Sequence, residues 1–244
     1  MRPVLAVFKR EFAAYFATPV AYVFIVIFLL AMGSFTFYVG HFYDNGVATL
    51  SVFFGYHPWL YLFLVPAVGM RLWAEERRLG TMELLLTLPI PVWASVLGKF
   101  LAAWAFTGVA LALTFPVWIT VNYLGQPDNG AILASYFGSF LMAGGYLAIS
   151  AAISASTDNQ VIAFVVSVLV CFLFTISGAP LVLDVFQAWA PIVLVNTISS
   201  FSFLTHFQAI SAGVIDLRDL IYFASLIALF LSVNVVLVDL KKTS

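Results

Sequence analysis

Residues 71–101 have the sequence RLWAEERRLGTMELLLTLPIPVWASVLGKFL, a charged connection between two long apolar runs. Its first part continues the preceding apolar run as a charged helix. Gly80 then interrupts that helix, because glycine is a poor helix former. Thr81 can cap a second helix, which ends at Pro89 and Pro91. The pattern predicts a short helix at the membrane surface between two membrane-spanning helices.

Apolar sequence extends from this connection over almost the whole chain. Of the 244 residues, 64% are hydrophobic and 9% are charged, whereas a soluble domain carries about 25% charged residues. A helix needs about 20 apolar residues to cross about 30 Å of hydrocarbon. We therefore expect one all-α, polytopic transmembrane domain, residues 1–244, whose first apolar run is retained rather than cleaved as a signal. The six predicted spans lie near residues 20–40, 52–73, 97–122, 132–156, 160–181 and 218–238.

The distribution of basic residues predicts the orientation. With the N-terminus in the cytoplasm, nine of the ten Lys and Arg residues fall inside and only Arg218 falls outside. This asymmetry is typical of cytoplasmic loops and places both termini in the cytoplasm. Residues 182–216 are rich in polar groups and contain Pro191. A seventh span there would move Lys241 and Lys242 outside, so we expect a re-entrant or interfacial outer segment that is buried against protein.

The N-terminal segment has the pattern of an amphipathic helix. Arg10 and Glu11 point away from its apolar face, so the helix is expected to lie in the membrane surface rather than cross it. The side chains that share the apolar face, at 100° per residue, are Leu5, Phe8, Phe12, Tyr15 and Phe16.

The fourth predicted span carries small residues at four-residue spacing. Gly144, Ala148 and Ala152 form a smooth stripe that allows another helix to approach closely. Packing within the chain is the favoured interpretation, and a contact between subunits is the alternative. The lone cysteine, Cys171, lies in an apolar run and is expected to be a core residue.

The series Glu-Glu, Gly-Thr-Met-Glu and Gly-Lys between Glu75 and Lys99 resembles the membrane subunit of type-2 ATP-binding-cassette (ABC-2) transporters. It is most similar to the gliding-motility-type permeases. The N-terminal amphipathic helix, the six spans and the large outer segment match the same architecture. The resemblance therefore extends over essentially the whole chain.

This resemblance implies a permease that couples ATP hydrolysis by a separate ABC ATPase subunit to export or force transmission. Residues 1–18 would be the elbow helix, with Leu5, Phe8, Phe12 and Phe16 as its apolar side chains. Residues 74–91 would form the coupling-helix loop seated on the ATPase. The coupling residues that the resemblance implies are Glu75, Glu76, Gly80, Thr81, Met82, Glu83, Leu85 and Leu86.

The resemblance also implies partners and a location. Two copies, or one copy and a related permease, would form the pathway in a bacterial cytoplasmic (inner) membrane, surrounded by lipid. ATP and Mg²⁺ would bind the partner subunit, and the gliding-type systems suggest an auxiliary protein on the outer side. The net charge of −1 gives no indication of a nucleic-acid partner.

The chain carries no phosphate-binding loop of its own. Gly98-Lys99 is followed by Phe100 and lacks the upstream glycine of a G-x-x-x-x-G-K-[ST] motif. We therefore expect no enzymatic activity and no bound cofactor, with ATP hydrolysis on another polypeptide.

Two other function classes stay open at this stage. His41, His57 and His206 fall on the predicted outer side, which would suit a metal- or cofactor-handling membrane protein. Their positions share no ligand spacing, so no metal site is predicted. An ATP-independent carrier or structural anchor is the third class, although no ionisable group lies deep in a predicted span.

Overall fold

The computed structural model describes residues 2–44, 46–82, 90–187 and 190–241, and every regular element in these parts is a helix. The prediction of an all-helical protein is thus confirmed for the described chain. In chain order the helices are α1 (Arg2–Ala17), α2 (Pro19–Gly33, continued by a π-helical segment, Ser34–Val39), α3 (Ser51–Gly55), α4 (His57–Gly69), α5 (Arg71–Arg78), α6 (Val92–Ala112), α7 (Phe115–Leu124), α8 (Asn129–Ser156), α9 (Gln160–Ile176), α10 (Pro180–Gln187), α11 (Ile192–Ser199), α12 (Phe203–Ser211) and α13 (Leu217–Leu240).

Four helical stretches within the described residues are long and apolar enough to cross a membrane. They are Pro19–Val39, Val92–Leu124, Asn129–Ser156 and Leu217–Leu240. Each coincides with a predicted span, because an uninterrupted apolar run of this length leaves few alternatives for the backbone.

The other two predicted spans are shorter or divided. Residues 52–73 are distributed over α3, α4 and α5, with breaks at Tyr56 and Met70. Residues 160–181 begin with α9, which has 17 residues and is therefore about 26 Å long. The count of six spans accordingly stays a prediction.

Acidic and amide side chains fix where several helices begin. The Asp128 carboxylate accepts hydrogen bonds from the amides of Gly130 and Ala131 at the start of α8. Asn159 does the same for α9, and Asp216 caps α13 through the Arg218 amide. Such side chains satisfy amides that have no partner within the helix.

Helix α8 is the centre of the fold. It packs against α4, α5, α6, α9, α12 and α13, and most of its length is buried. The predicted small-residue stripe lies on it: a Cβ atom on Gly144 would come within 2.8 Å of Trp104 on α6 and 3.0 Å of Ile227 on α13. Ala148 and Ala152 are also buried. The close approach at Gly144 is therefore a contact between helices of the same chain.

Residues 182–216, the segment predicted to lie on the outer side and called the outer segment here, contain short helices. Helices α10, α11 and α12 have 8, 8 and 9 residues, so each is about 12–14 Å long and too short to span a bilayer. Phe203, Phe207 and Ile210 on α12 are buried, and the Phe203 ring stacks on Tyr146 of α8 at 4.6 Å. One helix of the segment is thus inserted against the protein core.

Candidate functional site

Charged side chains from three helices meet at the end of the bundle where α5 stops and α6 starts. They surround a cavity of about 310 Å³. We call the following residues the charged cluster: Glu11 on α1, Arg71, Glu75 and Glu76 on α5, and Lys99 on α6.

Lys99 is the buried centre of the charged cluster. Only 2% of the Lys99 surface is exposed. Its Nζ lies 2.7 Å from Glu76 Oε1 and 3.2 Å from Glu11 Oε1. The ammonium also lies 5.5 Å from the ring centroid of the buried Trp73. A buried cation requires paired opposite charge, so Lys99 binds α1, α5 and α6 to one another.

The contact between α1 and α6 explains how Glu11 reaches Lys99. Val7, Glu11 and Tyr15 are spaced by four residues and share one face of α1. A Cβ on Gly98 would lie 2.7 Å from Val7 Cβ, so the glycine permits the close approach. Tyr15 stacks on Phe106 with 4.9 Å between the ring centroids. Glu11, which was predicted to point away from the apolar face of α1, thus points to Lys99 on α6.

The environment of Glu11 favours its charged form. Burial raises the pKa of this carboxyl, but the Lys99 and Arg10 cations outweigh that effect and hold the pKa below its usual value. Glu11 is consequently a carboxylate at neutral pH, which keeps the ion pair with Lys99 intact.

The aromatic residues predicted for the elbow helix lie at the edge of this contact. Phe8, Phe12 and Phe16 form a series of ring contacts at 5.6 and 5.2 Å, and Phe16 also contacts Phe106 of α6. Leu5 is half exposed and lines an apolar groove of about 670 Å³ between α1 and α6. The face of α1 that packs on α6 is thus rotated from the predicted apolar face.

The two adjacent glutamates of α5 have different partners. Glu75 pairs within its own helix, because Arg71 one turn earlier donates to it through Nε at 2.7 Å and Nη2 at 3.1 Å. Glu76 instead points to Lys99. Only the second glutamate therefore connects α5 to another helix through an ion pair in the charged cluster.

The chain turns sharply after α5. Gly80 has a φ of +67°, a left-handed conformation that glycine adopts without strain at a helix end. The Thr81 hydroxyl donates to the Glu76 carbonyl at 3.3 Å. Met82 is buried, and its sulfur accepts a hydrogen bond from Arg77. The residues of the predicted coupling-helix loop that directly follow α5, Thr81 and Met82, are therefore held against α5.

Three of the predicted coupling residues lie outside the described residues. They are Glu83, Leu85 and Leu86, together with most of the short helix predicted after Gly80. The described part of residues 74–91 ends at Met82 and resumes at residue 90.

The three histidines have separate surroundings. His41 is exposed and contacts Asp44 at 3.1 Å, whereas His57 is buried and bonds to the Phe53 carbonyl. His206 on α12 lies between Ser200, at the end of α11, and Asp219 on α13. Across the described ranges, no group of three or more His, Cys, Asp or Glu side chains could hold a metal ion.

His206 connects the outer segment to the last helix. Its Nδ1 lies 2.5 Å from Asp219 Oδ1, and its Nε2 lies 3.0 Å from the Ser200 carbonyl oxygen. Tyr222 stacks on the imidazole with 4.0 Å between centroids. Both His206 and Asp219 are buried, so this pair fastens α12 to the first turn of α13.

Comparison with known protein families identifies this architecture. The family model of the ABC-2 family transporter proteins matches residues 42–238. The chain belongs to this family. No curated protein matches its sequence.

As an ABC-2 family protein, the chain is a multi-pass membrane component of an ABC transporter and is not itself the catalytic component. The match contains α5, α6 and α8, and thus Glu76 and Lys99. Helix α1, which supplies Glu11, precedes the matched range. The charged cluster therefore joins the family region to the N-terminal helix.

The sequence indicated Lys99 as part of the Gly-Lys pair of the motif. It did not predict that this lysine is buried or which residues pair with it. The available signal was a single lysine between long apolar stretches of α6, since such a cation needs an opposite charge nearby. The sequence did not indicate which acid would provide that charge, because Glu11 and Glu76 are 88 and 23 positions away from Lys99. Only the packing at Gly98 brings Glu11 within reach.

Proposed function

We propose that the chain is the permease subunit of an ABC transporter whose separate ATPase binds residues 74–91. The family match and the missing phosphate loop support this role. The observation that carries the proposal is the charged cluster, which lies where the proposed docking loop leaves α5.

The charged cluster gives the loop a rigid connection to the helices. Glu76 lies four residues before Gly80, and its carboxylate bonds to Lys99 on α6. Lys99 also bonds to Glu11 on α1. Lys99 is buried and both glutamates are mostly shielded from water, so pulling these opposite charges apart is costly. A displacement of the loop by the ATPase would therefore move α1 and α6 together with α5.

The exposed side of the loop would provide the docking surface. Leu85 and Leu86 follow Glu83 in a short helix predicted from the sequence, and an amphipathic helix of this kind favours a protein groove. Glu75 and Glu83 would orient the docking through charge more than they would strengthen it. The ATPase would bind ATP and Mg²⁺, and this chain would transmit the movement.

The proposal also includes the number of spans, their orientation, the membrane and the number of permease chains. We place six spans in a bacterial inner membrane with both termini in the cytoplasm and residues 182–216 outside. Two copies, or this chain and a related permease, form the pathway. From the sequence resemblance we further propose the gliding-motility subtype and an auxiliary protein on the outer side. The same resemblance suggests that the transporter exports a substrate or transmits force. A metal-handling role has less support, because each histidine is engaged with a different partner.

The proposal is tested by purifying the tagged chain from membranes in mild detergent. We expect a stoichiometric partner that carries a phosphate loop. The double variant Leu85→Asp/Leu86→Asp should lose this partner, because buried charge in a docking groove is costly. The matched control, Val214→Asp/Ile215→Asp, places the same charges at exposed apolar positions of the outer segment and should retain the partner.

Two results would contradict the proposal. A chain that stays alone after gentle extraction and crosslinking has no ATPase subunit. A partner that is retained equally by both double variants binds somewhere other than residues 74–91.

A further inference from the structure

Helices α4 and α5 are separated by a single residue. Helix α4 ends at Gly69 and α5 begins at Arg71, with Met70 between them. Met70 occupies the N-cap position of α5, but its thioether makes no capping hydrogen bond. The first amides of α5 therefore need acceptors from elsewhere.

A serine from the central helix supplies this cap. The Ser154 Oγ on α8 accepts hydrogen bonds from the Trp73 amide at 3.1 Å and the Ala74 amide at 3.0 Å. The same hydroxyl donates to the Met70 carbonyl at 2.7 Å. With two bonds accepted and one donated, the buried hydroxyl uses its full hydrogen-bonding capacity. Ser154 thus does for α5 what an N-cap side chain usually does within one helix.

Helix α5 in turn caps α8. The Arg77 guanidinium donates to the carbonyl of Ala155, which lies in the last turn of α8. A cation at a helix C-terminus satisfies free carbonyls and interacts favourably with the helix dipole. The caps are therefore reciprocal: α8 closes the start of α5, and α5 closes the end of α8.

The break between α4 and α5 lies directly on α8. A Cβ atom on Gly69 would come within 2.4 Å of Ser150 Cβ, so only glycine fits there without rearrangement. Ser150 and Ser154 are one turn apart and share a face of α8. The end of α4 and the start of α5 are thus both in contact with that face, but only α5 is hydrogen-bonded to it by Ser154.

We propose that α5 is attached to the end of α8 as a separate capped helix, with Ser154 as the positioning residue, rather than being an extension of α4. The coupling-helix loop, residues 74–91, begins within α5 and then acts on the central helix of the fold. This last consequence rests on the proposed function, whereas the attachment of α5 to α8 does not.

Hydrogen exchange on the full-length chain in lipid nanodiscs tests the attachment. In the Ser154→Ala variant, the amides of residues 71–78 should exchange about five-fold faster than in the wild type, which is the typical effect of losing an N-cap. Residues 57–69 of α4 should keep their protection. Ser150→Ala is the matched control, because that buried hydroxyl donates within its own helix to the Tyr146 carbonyl.

The results separate the two descriptions of α5. Faster exchange confined to residues 71–78 of the Ser154→Ala variant supports the separate helix. Unchanged protection there, or equal acceleration in α4 and α5, would show that α5 is an extension of α4 and overturn the proposal. The measurement uses no ATPase, so a failure to purify an ATPase would contradict the proposed function without altering this result.

Discussion

Replacing Lys99 by methionine removes the cation at the centre of the charged cluster. The substitution keeps most of the side-chain volume, so its effect comes from charge. It leaves the Glu11 and Glu76 carboxylates, which lie 3.2 and 2.7 Å from Nζ in the wild type, without their shared partner.

The expected loss of stability follows from the exposure of these groups. Removing one partner of a buried ion pair typically costs about 3–5 kcal/mol. The side chains of Glu11 and Glu76 are 17% and 19% exposed, so water and protons can partly compensate for the missing cation. We therefore expect the free energy of unfolding to decrease by about 3 kcal/mol, the lower end of that range. For a chain of this size, this corresponds to a decrease in Tm of roughly 6–12 °C.

Thermal unfolding of the purified chain in detergent measures this decrease. Lys9→Met is the matched control, since Lys9 is an exposed lysine on α1, and should change Tm by less than about 2 °C, as surface substitutions usually do. The triple variant Glu11→Gln/Glu76→Gln/Lys99→Met removes all three charges and should recover part of the loss, because no unpaired charge is left buried. If Lys99→Met is as stable as Lys9→Met, or the triple variant is the least stable, the reasoning about the charged cluster is wrong.

Two further predictions concern other charged contacts of the fold. The Glu11 pKa is lower in the folded chain than its usual value of 4.5, so its contribution to stability is present above about pH 4.5 and is lost as the pH falls further. Tm measured against pH should accordingly decrease less on acidification in Glu11→Gln than in the wild type, and parallel curves would contradict this. At the outer segment, His206→Phe leaves the buried Asp219 carboxylate without its partner, so Tm should decrease by several degrees. The double variant His206→Phe/Asp219→Asn should be more stable than the single one, and the reverse order would show that the pair does not fasten α12 to α13.

The parts of the fold that depend on local sequence could be predicted. The apolar runs at Pro19–Val39 and Leu217–Leu240 are long and contain few charges, so a membrane-spanning helix is the backbone arrangement that satisfies their hydrogen bonds. The glycine at position 80 also predicted the interruption of the helix that ends at Arg78, because its conformational freedom is a property of the residue itself.

Contacts between distant segments could not be predicted in this way. Hydrophobic periodicity assigned Glu11 to the polar face of α1, since periodicity gives the solvent side of an isolated helix and not the side facing a buried lysine. Ser154 is one of several serines on α8, and nothing in its neighbours distinguishes it from Ser150. Its role depends on the position of the Trp73 amide, 81 residues earlier. The arrangement of the charged cluster and the attachment of α5 are therefore tertiary properties.

The central position of α8 has a consequence for biosynthesis. Helices α1 to α7 precede residues 129–156 in the chain, so α4 and α5 are synthesised before the helix that later covers them. During this interval the Trp73 amide has no serine acceptor and the Arg77 guanidinium has no helix end to bind. The contacts of α4, α5 and α6 with α8 can therefore form only after residues 129–156 have been synthesised.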